Sequence, residues 1–119
     1  MAFNYNGIKD DKLFLVLKAL IKLKAIPSHT TLPQLRRLFN GHEVTEAMEW
    51  LAAQGDLTAF IKEIFRINEP DFTSYKQHWK IAVKCFVKKG GMEFDPQKLR
   101  LSRPTTMENK FKAAARKFK

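Results

Sequence analysis

Lysines stand at positions 76, 80, 84 and 88, one every fourth residue. On a helix that spacing advances about 400°, so each ammonium lies about 40° round and about 6 Å along from the last. The four would form a curving ribbon about 18 Å long, a repeat comparable with the phosphates of one nucleic-acid strand. Lysine is a flexible point charge, suited to following a phosphate backbone without reading bases. No acidic residue sits four positions from any of these lysines inside the segment, so nothing along the helix neutralises the row.

Further cations follow the row: Lys89, Lys98, Arg100 and Arg103, then Lys110, Lys112, Arg116 and Lys117. The arginines offer planar forks for phosphates or for stacking on bases. Phe94, Phe111 and Phe118 are interleaved with them, and aromatic side chains can serve as platforms for unpaired bases. Met107, Phe111 and Phe118 also share helical spacing, which instead predicts a terminal helix docked on a core. A third use of the same pattern is a basic amphipathic helix lying on acidic lipid.

These cations account for most of the charge of the chain. Its 119 residues contain 22 Lys and Arg against 12 Asp and Glu, a formal net charge of +10. Residues 1–70 carry nine basic and eight acidic side chains, whereas residues 71–119 carry thirteen and four. Such segregation is what a polyanion-binding surface needs and what mere solubility does not.

Other reactive residues form no site. His42-Glu43-Val44-Thr45-Glu46 has Glu where a zinc-binding helix needs its second His. His29 has no nearby acid to build a nucleophile triad, and His78 stands beside Trp79 on the basic segment. Cys85 is the single cysteine; it excludes an internal disulfide or a thiolate cluster and reads as a buried thiol. Gly90-Gly91 lacks the pattern of a phosphate-cradling loop. The expectation is a protein that is not an enzyme and uses no cofactor or metal.

The elements that must position the cations read as helices. Asp10 or Asp11 opens a helix to about Ile26, apolar round most of its circumference and therefore expected at the centre, with Pro27 stopping it. Thr31-Leu32-Pro33-Gln34 is a capping box for a short helix through Leu35, Leu38 and Phe39. Asn40 and Glu43 predict a further helix through Val44, Ala47, Met48 and Leu51, closed by Gly55. Asp56 caps the next, with Leu57, Phe60, Ile61, Ile64 and Phe65 on one face up to Pro70. Asp71 starts the basic helix, which runs to Lys89 and breaks at Gly90-Gly91. Asp95-Pro96-Gln97 starts a short turn ending at Arg103-Pro104, and Thr105-Thr106-Met107-Glu108 caps the last helix. No segment shows the alternation of a strand.

The fold class that follows is all-α, a compact bundle of five to six helices. Residues 1–91 form a helical core domain carrying the helix 71–89, and residues 92–119 form a basic C-terminal extension. The first three helices and Leu51, Gly55 and Leu57 have the rhythm of a winged-helix unit. Glu43, Glu46 and Glu49 on its reading helix have the wrong sign for phosphates. Ten Phe, two Tyr and two Trp argue against disorder. No apolar run is long enough for a transmembrane helix, and Asp10-Asp11 with Lys18, Lys22 and Lys24 do not resemble a signal peptide, so a cytoplasmic or nuclear location is expected.

The function these features predict is a small, non-catalytic nucleic-acid-binding protein, contacting the backbone of DNA or RNA as an accessory or regulatory subunit of a nucleoprotein assembly. The alternative is an interaction module for an acidic protein partner, such as a polymerase, ribosomal, viral or defence-related component, anchored by Trp50, Tyr75 or Trp79. Peripheral attachment to a membrane ranks third.

Overall fold

The computed structural model describes residues 9–39, 46–68 and 75–118, with the side chains of 68 and 75–78 outside that description. The first helix, α1 (Asp10–Lys22), carries Asp10 and Asp11 in its first turn, where carboxylates favour the positive end of the helix dipole. It stops before Ile26 for a local reason. Lys24 takes a left-handed conformation (φ 58°), its N–H donates to the Ile21 carbonyl, and the Ala25 N–H donates to that of Leu20, both at 3.0 Å. These paired bonds satisfy the last carbonyls and end the helix ahead of Pro27. Phe14 and Leu15 remain exposed on α1, so it is not the central helix.

The capping box at Thr31 forms as the sequence predicts. The Thr31 N–H donates to Gln34 Oε1 at 2.8 Å and the Gln34 N–H donates back to Thr31 Oγ1 at 3.4 Å. It opens α2 (Leu32–Phe39), which buries Leu35, Leu38 and Phe39. Arg36 reaches Asp10 at 3.0 Å and links the outer surfaces of α2 and α1.

The helix expected from Asn40 to Gln54 is absent from the described residues. Residues 40–45 lie outside the description, and Met48–Trp50 is a strand, β1. Met48 and Trp50 are buried while Glu49 between them is half-buried, the period-two pattern of a strand. Its partner is β2 (Phe86–Lys88), pairing in parallel with Met48 opposite Phe86 and Trp50 opposite Lys88. The hydrogen bonds that settle β1 thus come from far along the chain, beyond the reach of local periodicity. The winged-helix reading fails with its third helix.

Gly55 does not close a helix; it lies inside α3 (Gln54–Asn68). This helix holds the centre, buried at residues 55–61 and 63–65, and packs against two later helices, α5 (Pro96–Leu101) and α6 (Glu108–Arg116). Asp56 is correspondingly not a cap. Its buried carboxylate accepts the Thr105 N–H at 2.9 Å and the Thr105 hydroxyl at 2.8 Å. Gly55 lets the same chain segment cross: a Cβ there would lie 1.7 Å from the Arg103 carbonyl oxygen. Gln54 donates to Ser102 Oγ at 2.7 Å, and the Thr58 hydroxyl reaches the Leu99 carbonyl. Thr105 is therefore occupied with Asp56 and with the Met107 N–H, and the expected capping box at Glu108 does not form.

The basic helix is also shorter than expected. Residues 71–74 lie outside the description, α4 runs from Tyr75 to Cys85, and Phe86 begins β2. Aromatic and β-branched Phe86-Val87 suits a strand, and Gly90 and Gly91, with φ of 94° and 89°, turn the chain back. Lys88 N–H donates to the Met92 carbonyl at 2.7 Å, and Val87 pairs antiparallel with Glu93. Asp95 then caps α5 as expected, accepting from the Gln97 and Lys98 N–H groups at 2.9 and 3.0 Å.

The last two helices add to the core begun by the first part of the chain. Phe94, Leu99, Phe111, Ala114, Ala115 and Phe118 join the same apolar cluster as Leu20, Leu35, Trp50 and Phe60. Among the described residues the chain is thus a compact, mostly helical protein of six helices with a two-stranded parallel sheet.

Two substitutions test these local constraints. Lys24→Gly relieves the left-handed strain and raises stability by up to about 1 kcal/mol. Gly55→Ala forces the crossing segment off α3 and lowers stability by about 3 kcal/mol. Urea midpoints of the two variants should move in opposite directions.

Candidate nucleic-acid interface

The inner face of α4 explains how its lysines are presented. Trp79, Ala82 and Cys85 are buried, and the Trp79 ring meets Phe65 of α3 edge-on at 5.8 Å. Lys80 and Lys84 are exposed, one helical turn apart, about 6 Å along the axis. Lys76 stands four residues before Lys80 on the same helix, with its side chain outside the description.

Lys88 does not complete the row, because the helix has ended. It is exposed on β2, its ammonium 5.9 Å from the centre of the Phe94 ring, a cation–π contact. Lys89 is exposed in the turn that follows. α5 packs against α4 and adds exposed Lys98 and half-exposed Arg100 on either side of buried Leu99. Arg103 is exposed beyond the end of α5. Among the described residues, none of Lys80, Lys84, Lys88, Lys89, Lys98, Arg100 and Arg103 forms an ion pair with a carboxylate. The expected single ribbon is thus replaced by cations spread over α4, β2, the glycine turn and α5.

The cations of α6 have different surroundings. Lys112 is paired with Glu108 at 2.9 Å. Arg116 lies 3.7 Å from Glu63, a buried carboxylate of α3 that Arg66 also holds. Lys110 and Lys117 are exposed. α6 packs on α3 and α1 rather than beside the lysines of α4.

A feature the charge count hides is a cleft of about 310 Å³ between α3 and α6, lined in part by Lys62, Glu63, Arg66, Glu108 and Lys112. Lys62 and Arg66 belong to the half whose net charge is near zero. Their spacing of four was the available signal, since it places both on one side of a helix.

The aromatic residues interleaved with the cations are inside, and the terminal helix docks on the core as the spacing of Met107, Phe111 and Phe118 predicts. Phe94, Phe111 and Phe118 are buried and cannot act as base platforms or insert into lipid. Trp50 and Trp79 are likewise buried, which removes them as anchors for a protein partner. The side chain of Tyr75 lies outside the described residues.

Among the described residues no three His, Cys, Asp or Glu side chains are grouped to hold a metal ion. No helix there is long and apolar enough to cross a membrane. His29 is exposed, while His42 and the side chain of His78 lie outside the description. Burial pushes the Cys85 thiol up from an ordinary 9.0 to about 12, so neighbouring lysines do not activate it. No protein-family model, curated protein or solved structure matches this chain.

Cys85 gives a pH prediction with a definite sign. Its folded-state pKa is raised, so the unfolded chain releases the thiol proton first as pH rises. The contribution is complete below pH 9.0 and is lost as pH climbs towards about 12. The stability of the wild-type chain relative to Cys85→Ala should therefore be constant up to about pH 8 and fall above it, as followed by denaturant titration.

Proposed function

We propose that this chain is a non-catalytic nucleic-acid-binding protein that grips the phosphate backbone of DNA or RNA through the cations of α4, β2 and α5. In this reading it serves as an accessory or regulatory subunit of a nucleoprotein assembly. One observation carries the proposal. Exposed Lys80, Lys84, Lys88, Lys89 and Lys98 and half-exposed Arg100 come from adjoining elements and have no ion-pair partner among the described residues.

Unpaired surface cations condense readily on a polyanion, because each phosphate contact releases counterions into solution. Cations already held by carboxylates gain less, since an existing attraction must be exchanged. Lys112 and Arg116, paired to Glu108 and Glu63, therefore contribute less than the lysines of α4. Lys110, Lys117 and Arg103 extend the positive field without forming part of the main grip.

The surface suits binding with little sequence preference. Five of the six main cations are lysines, which act as point charges rather than base-reading forks. Arg100 is the exception and lies half-exposed beside buried Leu99.

The decisive measurement is affinity for an oligonucleotide across a salt titration. Changing Lys80, Lys84, Lys88 and Lys98 together to Gln should flatten the log–log slope by about 3, at about 0.7 per single-strand contact and 0.9 per duplex contact. Changing Lys112 and Arg116 to Gln should alter it by less than about 1. An unchanged slope and affinity in the fourfold variant would remove this surface as the binding site.

A further inference from the structure

The register of the small sheet sorts the side chains around the glycine turn onto two faces. Glu49 pairs with Val87, and Val87 pairs with Glu93, so these three share one face. Phe86, Lys88, Met92 and Phe94 consequently share the other. The first face ends in carboxylates and the second in a lysine and a methionine. Glu49 also accepts the Gly90 N–H at 3.3 Å, which ties the turn to the carboxylate face.

Two of the most exposed large apolar side chains lie beside the proposed cations. Met92 is 69% exposed at the turn, and Leu101 is 64% exposed at the end of α5. They flank the segment that carries Lys98 and Arg100. Neither belongs to the core, which includes Phe86, Phe94 and Leu99 from the same stretch of chain.

Resting on the nucleic-acid reading above, we infer that the strand bound here is single-stranded, with the faces of unpaired bases against Met92 and Leu101 and its phosphates on the lysines. A duplex hides its base faces in the stack. A duplex could meet Met92 only by taking the turn as a wedge into a groove, where phosphate walls flank both sides of the inserted element. One of those walls would then confront Glu49 and Glu93. A single strand lies along one side, touching Lys88 and Met92 and keeping its phosphates away from Glu49 and Glu93. Apolar contact with base faces is tolerant of sequence, in keeping with the lysine-dominated surface.

The test uses the full chain with a fluorescently labelled mixed-sequence single strand, as DNA and as RNA, and the duplex annealed from the DNA strand. The double variant Met92→Ser/Leu101→Ser removes only exposed groups, and its thermal melt serves to verify folding. It should weaken single-strand binding about tenfold with an unchanged salt slope, and duplex binding less than about twofold. Wild type should also favour the single strand at equal salt. Equal losses on the strand and the duplex, no loss on either, or tighter wild-type binding of the duplex would overturn single-strand recognition while leaving backbone binding in place. Wild type that binds none of the three probes, including one that instead floats with anionic phosphatidylserine vesicles, overturns the nucleic-acid reading and this inference with it.

Discussion

Trp50 is the side chain on which the rest of the structure converges. From a three-residue strand its ring lies 5.9 Å from Phe60 of α3, 5.9 Å from Phe86 of β2 and 5.4 Å from Phe111 of α6. Its indole N–H is satisfied by the Ala53 carbonyl at 2.9 Å, so the ring is buried with its polar atom paired. Elements from both halves of the chain thus meet on one residue. The backbone of Leu51 bonds to Ala25 at 2.7 Å, which ties the same strand to the chain beyond α1. A short parallel pair is weak alone, and the aromatic packing around Trp50 supplies what its few hydrogen bonds cannot.

The nearly neutral half of the chain holds the basic half through its own acids. Asp56 grips Thr105, and Glu63 sits between Arg66 and Arg116. Both carboxylates are buried and come from α3, the helix at the centre of the core. They direct the C-terminal segment along α3 and place α6 where Phe111 and Phe118 close the core. Phe118 meets Phe39 at 5.1 Å, so the end of the chain packs against the end of α2. Among the described residues the cations of α4, β2 and α5, like several on the other helices, have no carboxylate partner. Arg36, Arg66, Lys112 and Arg116 are instead held by carboxylates, and a count of Lys and Arg does not reveal which cations are so held.

Much of the architecture was legible in local sequence. The Thr31 capping box, the Asp95 cap, the apolar face of Leu57 to Phe65 and the register of Phe111 and Ala114 all depend on residues within one or two helical turns. The site was legible only in part. Lys80 and Lys84 emerge on one helix as their spacing requires, whereas Lys88 leaves it because Phe86 is drawn into pairing with Met48. Asp56 looked like a cap because capping chemistry is local, but its partner lies 49 residues away. A similar distance in sequence concealed the role of Gly55, which is to admit the backbone of Arg103.

The sequence by itself determined that the chain is mostly helical, that it has enough aromatic and aliphatic side chains for a core, and that its cations gather after Pro70. Those properties follow from composition and from contacts within a few residues. Tertiary structure alone decided that Met48–Trp50 is a strand, that Phe94 points inward, and which cations have carboxylate partners. Each of these depends on what lies across the fold. A strand needs another strand to complete its hydrogen bonds, a phenylalanine needs a cavity to fill, and an ammonium is paired only where a distant carboxylate is brought within reach.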